Sequence, residues 1–503
     1  MVREAAGTVL ALPERSGGQK GKRLNHPPAS RPLIIQGEPG TRNCCKHLAP
    51  GTGRLFIIED LLHWFYDALI GPPLIALILA AGIFLTIRLN VVQVFRFGYI
   101  FRETLGKMAA PRQKYAPGEI TPFQALSTAL AATVGTGNIA GVATALFLGG
   151  PGAIFWMWVS AFFGMATKFA EVTLAVHFRE KKGDRIAGGP MYYLKNGLNL
   201  PGLALLYAFF GALAAFGIGN LVQANSVADA VQATFGFPPV LTGLALALVG
   251  GLVILGGIKR IALIASTLVP IMAISYFASC LYILIIHASS IPPALAEIVA
   301  AAFHGRAAAG GVAGATVFQA WRFGISRGIF TNEAGLGSAS IAHAAAQTTH
   351  PARQGLWGVI EVFIDTHVIC TVTALVLLVT GAYASGLEGA AMTAEAFSRG
   401  LPGEAGQFVV SIGLSIFAFT TVLSWSYYGE KCFEYILGSR YISIYRITWI
   451  LFIVVGALGG LRVVWALSDI LNGLMAFPNL VGLVGLSGLL ARLSKDYFTG
   501  RSG

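Results

Sequence analysis

Charge is scarce in this sequence: Asp, Glu, Lys and Arg make up 12% of its 503 residues, against roughly 25% in an ordinary soluble domain. Hydrophobic residues make up 55% and the mean hydropathy is +0.69, so lipid rather than water is the expected solvent. Cysteine is also sparse. Cys44 and Cys45 are adjacent in a polar stretch, and Cys280, Cys370 and Cys432 stand singly in apolar ones, which predicts neither a disulfide nor a cysteine metal site. Nine histidines lie without ligand spacing, leaving a metalloenzyme reading without support. The alternation of β-barrel spans is missing as well, because Ala, Leu, Ile, Val, Phe and Gly run on unbroken.

What is present is a series of apolar segments, each near the 20 residues needed to cross the hydrocarbon. Eleven are expected, at about 62–89, 122–149, 151–178, 202–235, 239–256, 261–287, 312–346, 355–381, 403–437, 444–460 and 463–491. They define an all-α polytopic membrane protein with the lipid bilayer as its partner. Residues 1–54 are different. They are rich in Gly, Pro, Arg and Ser, lack the apolar core of a secretory leader, and read as a disordered tail.

The net charge of +12 follows a membrane rule rather than a nucleic-acid one. Six positive charges net belong to the tail, from nine Lys/Arg and three Glu. If the first span enters from outside, the loops assigned to the cytoplasm hold twenty Lys/Arg, and the opposite loops hold only Arg306, Arg399 and Arg462. The core is therefore expected N-out and C-in in the inner (plasma) membrane. The basic tail opposes that orientation. Either a long tail translocates regardless of charge, or the true start lies near residue 55, and the second is the expectation.

Two spans carry interruptions. In the second, Gly135, Thr136, Gly137 and Asn138 fall in mid-membrane, where glycines cost about 1 kcal/mol each in a helix interior and the Asn amide needs partners. An unwound turn there would offer carbonyls of the upstream half-helix to a cation and N–H groups of the downstream half to a carboxylate. The same small residues would also suit close helix packing. In the seventh span, Asn332, Glu333, Gly335 and Gly337 interrupt an apolar stretch, and Glu333 needs a partner, either Arg327 or unwound backbone. Glu333 reads equally as a brace for the break or as a ligand group.

The interrupted spans each open a block of five, which predicts two inverted repeats, about 121–290 and 311–492, within a domain spanning 55–495. Lys168 and Glu171 are three apart and can pair as a brace. Gln223, Asn225, Asp365, Thr420, Thr421, Ser424 and Trp425 are polar or amphipathic groups that can face a cavity. The hydroxyls of Thr420 and Thr421 suit a hard cation, or alternatively bond back to a preceding carbonyl.

Four blocks in order, Ala131-Ala-Thr-Val-Gly-Thr-Gly-Asn-Ile-Ala-Gly141, Gly164-Met-Ala-Thr-Lys-Phe-Ala-Glu171, Gly188-Gly-Pro-Met-Tyr-Tyr193 and Asn332-Glu-Ala-Gly-Leu-Gly-Ser-Ala339, resemble the alanine or glycine:cation symporter family. The resemblance covers about residues 60–495 and implies a LeuT-type fold, one helix preceding two five-helix repeats, with sodium-driven, in some members proton-driven, uptake of a small neutral amino acid. It places the substrate on Gly135, Thr136, Gly137, Asn138, Phe330 and Thr331, with Gln223, Thr421 and Trp425 completing the pocket and Trp425 limiting side-chain size. It places sodium on backbone oxygens of Ala131, Val134 and Phe417 and on the hydroxyls of Thr420 and Thr421. Sodium as coupling ion is the one cofactor expected, and neither nucleic acid nor an obligate protein partner is. A channel lacks rings of charge here, and an enzyme lacks paired catalytic groups. A proton-coupled transporter using Glu333, Asp365 or Glu171, a related small-solute transporter, and an amino-acid sensor on the same fold are the competing readings.

Overall fold

The computed structural model describes residues 71–108, 118–183, 185–304, 317–403, 405–459 and 462–500. The tail and the start of the first expected span lie outside them.

The described chain opens with α1 (Pro72–Arg88) and a short helix, α2 (Phe97–Glu103). α3 (Pro122–Thr133) begins at a capping box: Thr121 Oγ1 accepts from the Gln124 N–H, and Gln124 Oε1 accepts from the Thr121 N–H. The helix stops at Thr133, Val134 is extended, and the chain resumes as α4 (Gly137–Gly149), bent by 52°. The glycines expected to break the second span do so.

α5 (Gly152–His177) follows, then the hairpin β1 (Glu180–Lys182) and β2 (Arg185–Ala187), α6 (Pro190–Leu198), α7 (Pro201–Phe235), α8 (Pro239–Ile254), α9 (Gly257–Ile286) and α10 (Ile291–His304). The chain continues through α11 (Val317–Asn332), α12 (Ser340–Ala344), α13 (Pro351–Val379), α14 (Gly389–Gly400), α15 (Ala405–Leu437), α16 (Ile442–Ala457), α17 (Arg462–Gly485) and α18 (Ser487–Thr499). Between α11 and α12 the backbone turns through Glu333 (φ +54°), Gly335 (φ +100°) and Gly337 (φ +78°), so the seventh span is broken as well. A non-glycine residue in the left-handed region is costly and is held only where its surroundings over-determine it.

Among the described residues, seven helices are long and apolar enough to cross a membrane, or eight with the bent pair α3–α4 counted as one span. The other expected spans fall on shorter helices: α1, α8, and the broken α11–α12. The last expected span ends early, at Gly485, and α18 takes a new direction after Leu486. α10 and α14 add helices outside the span count. Their buried residues, Ile298 and Ala302 in one and Met392, Ala396 and Phe397 in the other, recur at helical spacing, while Glu395 and Arg399 pair at the surface.

α5 is the centre of the bundle. In its apolar stretch 83% of residues are buried, against 33% in α9 and in 439–457, which present Leu263, Ile271, Ile274, Ile285 and Leu451 outward as a lipid-facing surface. α5 packs against α1, α11 and α13, so its polar residues face the second interruption and α13.

Candidate substrate and cation site

Three helices carry wide, π-helical turns, at Gly137–Gly141, Ala215–Leu221 and Phe363–Cys370. Such turns leave backbone groups unevenly bonded and cluster at functional sites. Here all three surround the first break.

Asn138 holds that break closed from behind. Its Oδ1 accepts from the Gly135 N–H at 2.8 Å, and its Nδ2 donates to Asp365 Oδ1 at 2.9 Å and to the Asp365 carbonyl at 3.1 Å, with Cys370 Sγ at 3.3 Å. Asp365 Oδ2 accepts from Thr366 Oγ1 at 2.8 Å, and that hydroxyl accepts from Asn332 Nδ2 at 3.2 Å. Asn332 Oδ1 then accepts from the Ala334 N–H at 3.0 Å. One buried chain of hydrogen bonds therefore runs from the first break through α13 to the second.

The second break is held by α5. Glu171 Oε1 accepts from the N–H groups of Gly335 at 2.8 Å and Gly337 at 3.1 Å, and from Asn479 Nδ2 at 2.8 Å. Asn479 also donates to the Gly335 carbonyl, and its Oδ1 takes the Tyr193 hydroxyl. The pairing expected between Lys168 and Glu171 is not the one formed. Glu171 is turned to the unwound backbone, and Lys168 pairs with Glu361 at 3.3 Å, whose other oxygen meets His343 Nε2 at 3.0 Å. Three residues place Lys168 and Glu171 on one helix face, but Glu361 supplies Lys168 with a carboxylate from α13, and the unwound amides, which have no helical acceptor, take Glu171.

Glu333 finds neither Arg327 nor backbone as its partner. Its Oε1 accepts from Trp425 Nε1 at 3.1 Å and its Oε2 from Ser338 Oγ at 2.5 Å. Trp425 is thereby pinned across the gap between α15 and the second break.

Between the breaks lies a cavity of about 20 Å³ lined by Ala132, Thr133, Gly135, Thr136, Gly137, Ile218, Gln223, Phe330, Glu333, Thr421, Trp425 and Asn472. Seven of the nine expected substrate residues are on that lining. Asn138 and Thr331 are not: Asn138 is committed to Asp365 and Gly135, and Thr331 donates to the Arg327 carbonyl at 2.7 Å. Thr331 instead sets the contact between the broken helices, since a methyl on Gly137 would meet its Oγ1 at 3.0 Å. Sequence reasoning does not reach Ala132, Thr133, Ile218 and Asn472. For Asn472 a signal exists, an amide in an apolar span; for the other three, apolar or back-bonding residues in helices, there is none. The cavity has room for about one water molecule, so admitting an amino acid requires the lining to part.

Of the expected cation residues, four are joined by hydrogen bonds, two of them on the Phe417 carbonyl. Thr420 Oγ1 donates to it at 2.9 Å, Thr421 Oγ1 donates to it at 3.0 Å, and Thr421 Oγ1 also reaches the Ala131 carbonyl at 3.0 Å across the helix gap. The back-bonding alternative is thus what both hydroxyls do, and Thr421 adds a tie to the first broken helix. Val134, at the break, ends α3 with its N–H on the Leu130 carbonyl. Among the remaining candidates, Asn225 and Ser424 do not line the cavity. A larger cavity of about 400 Å³ lies on the side of the basic loops, lined by residues that include Lys107, Thr121, Gln347 and Arg353.

Two helices interrupted inside an apolar bundle, facing each other across a small buried cavity, are the construction of a secondary transporter. Residues 55–502 match the sodium:alanine symporter family, and the chain belongs to that family. It is 49% identical over 437 residues to the sodium/alanine symporter AgcS of Methanococcus maripaludis, covering 85% of this chain and 94% of that one. An uncharacterized transporter of Haemophilus influenzae is 47% identical over 448 residues, covering 88% and 96% of the two chains. The amino-acid carrier protein AlsT of Bacillus subtilis is 35% identical over 441 residues, covering 86% and 92%. The protein is a secondary transporter and not an enzyme.

Proposed function

We propose that this protein couples sodium influx to uptake of a small neutral amino acid, alanine or glycine, across the inner membrane. The observation that carries the reading is the double role of Thr421, which lines the cavity and joins the Ala131 and Phe417 carbonyls through one hydroxyl. A sodium ion on those oxygens would touch both the broken helix and α15, so cation and substrate would stabilise the same closed arrangement. Reciprocity follows: if sodium raises alanine affinity, alanine raises sodium affinity by the same factor.

The remaining assignments belong to the same proposal. Gly135, Thr136, Gly137, Asn138, Gln223, Phe330, Thr331, Thr421 and Trp425 form the substrate site, Asn138 and Thr331 by bracing it. Ala131, Val134, Phe417, Thr420 and Thr421 form the cation site. Residues 55–495 form one transmembrane domain of eleven spans, N-out and C-in, with LeuT-type inverted repeats at about 121–290 and 311–492 after one preceding helix. The breaks at the head of each repeat and the name of the 49% identical relative support this reading.

Proton coupling is the second reading, favoured by one observation: the Glu333 carboxylate lines the cavity itself. Uptake of labelled alanine into proteoliposomes under an inward sodium gradient, against potassium and against an inward proton gradient, separates the two. Sodium-dependent accumulation inhibited by glycine is the expected result. Accumulation with protons alone would transfer the coupling role to the carboxylates.

A further inference from the structure

Five basic side chains stand where α1, α2 and α18 meet, on the side of the basic loops. α1 stops at Arg88, and the chain turns away through Asn90 (φ +54°) and Val91 (φ +50°), with the Val91 N–H on the Thr86 carbonyl at 2.8 Å. A β-branched residue in the left-handed region is held only where its surroundings fix it. Gln93 supplies that hold, since its Nε2 donates to Thr86 Oγ1 at 3.1 Å and to the Phe162 carbonyl at 3.3 Å. α2 is thereby fixed at the end of α1. α18 packs beside it, with the Tyr99 hydroxyl on that of Tyr497 at 3.3 Å and the Tyr99 and Phe498 rings 5.8 Å apart.

Arg88 lies against Gly488 of α18: a methyl on that glycine would come within 3.9 Å of its guanidinium. Arg492 and Lys495 stand four and seven residues further on, so they share the Gly488 face of α18, which is exposed at both, while Ser487, Leu490 and Ser494 form the buried one. Arg96 lies over the Phe498 ring at 5.2 Å, and Arg102 over the Tyr99 ring at 5.8 Å.

None of these five cations has a carboxylate partner among the described residues. Glu103 is taken by Lys107 at 2.6 Å, and Asp496, the one acidic residue of α18, lies toward His350. Like charges on one helix face repel, and an anion between them turns that repulsion into charge-assisted hydrogen bonds. The neighbouring surface shows what the anion carries with it. Ile87 is 69% exposed and Phe95 78%, beside Arg88 and Arg96 in the chain. Free phosphate makes no use of such groups, whereas a phospholipid lays acyl chain on the apolar residues and its phosphate on the arginines.

We propose that the corner formed by the end of α1, α2 and α18 is a binding site for the headgroup phosphate of an anionic phospholipid, held chiefly by Arg88 and Arg492. Its effect reaches inward. The Tyr497 and His350 rings lie 5.1 Å apart, and His350 Nδ1 caps α13 by accepting from the Ala352 N–H at 3.1 Å. Lipid at the corner therefore steadies the start of the helix that carries Glu361 and Asp365.

The test uses the full chain purified in detergent, with phosphatidylglycerol, phosphatidylcholine of the same acyl chains, or inorganic phosphate added. Phosphatidylglycerol should raise the melting temperature and stay bound in native mass spectrometry, and the other two should do neither. In Arg88→Gln/Arg492→Gln the affinity for phosphatidylglycerol should fall about tenfold or more, the size of a charge-assisted hydrogen bond. Lys259→Gln/Arg260→Gln, which removes two exposed cations from the start of α9, should leave that affinity unchanged. Equal loss in both double variants would mean that the lipid answers only to net charge, and would overturn the site. Equal protection by phosphatidylcholine would reduce the corner to ordinary lipid contact, and protection by inorganic phosphate would make its ligand a free anion; either result overturns the proposal. Should Arg88→Gln/Arg492→Gln not be recovered from the membrane, Gly488→Glu places a carboxylate beside Arg88, where an added side chain first meets the guanidinium itself at 3.9 Å. A fall in phosphatidylglycerol affinity there supports the site, and an unchanged affinity overturns it.

Discussion

The side-chain amide of Asn138 donates to Asp365 Oδ1 at 2.9 Å, tying the first broken helix to the π-helical turn of α13, and Asp365 in turn takes the hydroxyl of Thr366. A carboxylate inside the membrane is thus matched by two side-chain donors, one on each of its oxygens. Asp365→Asn keeps an acceptor for Asn138 and should retain most alanine uptake, whereas Asp365→Ala should abolish it at normal membrane insertion. Loss of uptake in both variants would point to a proton carried by Asp365 rather than to bracing.

Thr421→Ala removes the hydroxyl that joins the Ala131 and Phe417 carbonyls. Its half-saturating sodium concentration should rise about tenfold, the worth of one ligand oxygen on the scale of a charge-assisted hydrogen bond, with the order of preferred amino acids unchanged. An unaltered sodium titration would remove Thr421 from the cation site.

Trp425 closes one wall of the cavity and is held there by Glu333 at 3.1 Å. Trp425→Ala should admit larger neutral amino acids, measured as inhibition of labelled alanine uptake by serine, threonine and valine. A profile still limited to alanine and glycine would refute the role of Trp425 as size filter.

Glu171→Ala would leave the Gly335 and Gly337 N–H groups and the Asn479 amide without their shared acceptor. At about 1–3 kcal/mol for each orphaned donor, the detergent-solubilised protein should unfold about 5 °C or more below the unmodified one. Glu171→Gln, which keeps one acceptor oxygen, should recover most of that loss. An unchanged melting temperature in Glu171→Ala would show that the second break does not depend on α5.

The class of this protein was legible in its composition because lipid selects for apolar length, and length is a property of the linear chain. Both interruptions were legible for a related reason: Gly135 and Gly137, and Gly335 and Gly337, stand where an apolar helix has no use for them. Partner choice was not. Lys168 and Glu171 share a helix face, yet Lys168 belongs to Glu361 and Glu171 to the amides of the second break. Residues 164 positions apart or more had to be brought together before the Gly335 N–H or Glu361 existed as competitors.

The sequence by itself determined that the chain lives in a membrane, where its helices are interrupted, and which polar residues stand at the breaks, since each of these follows from local propensity and hydropathy. Only the tertiary structure decided which of those residues face the cavity and which stand behind it. Asn138 and Thr331 turned away because hydrogen-bond acceptors in a dry interior are assigned by proximity in space, and that assignment is a property of packed helices rather than of any one segment.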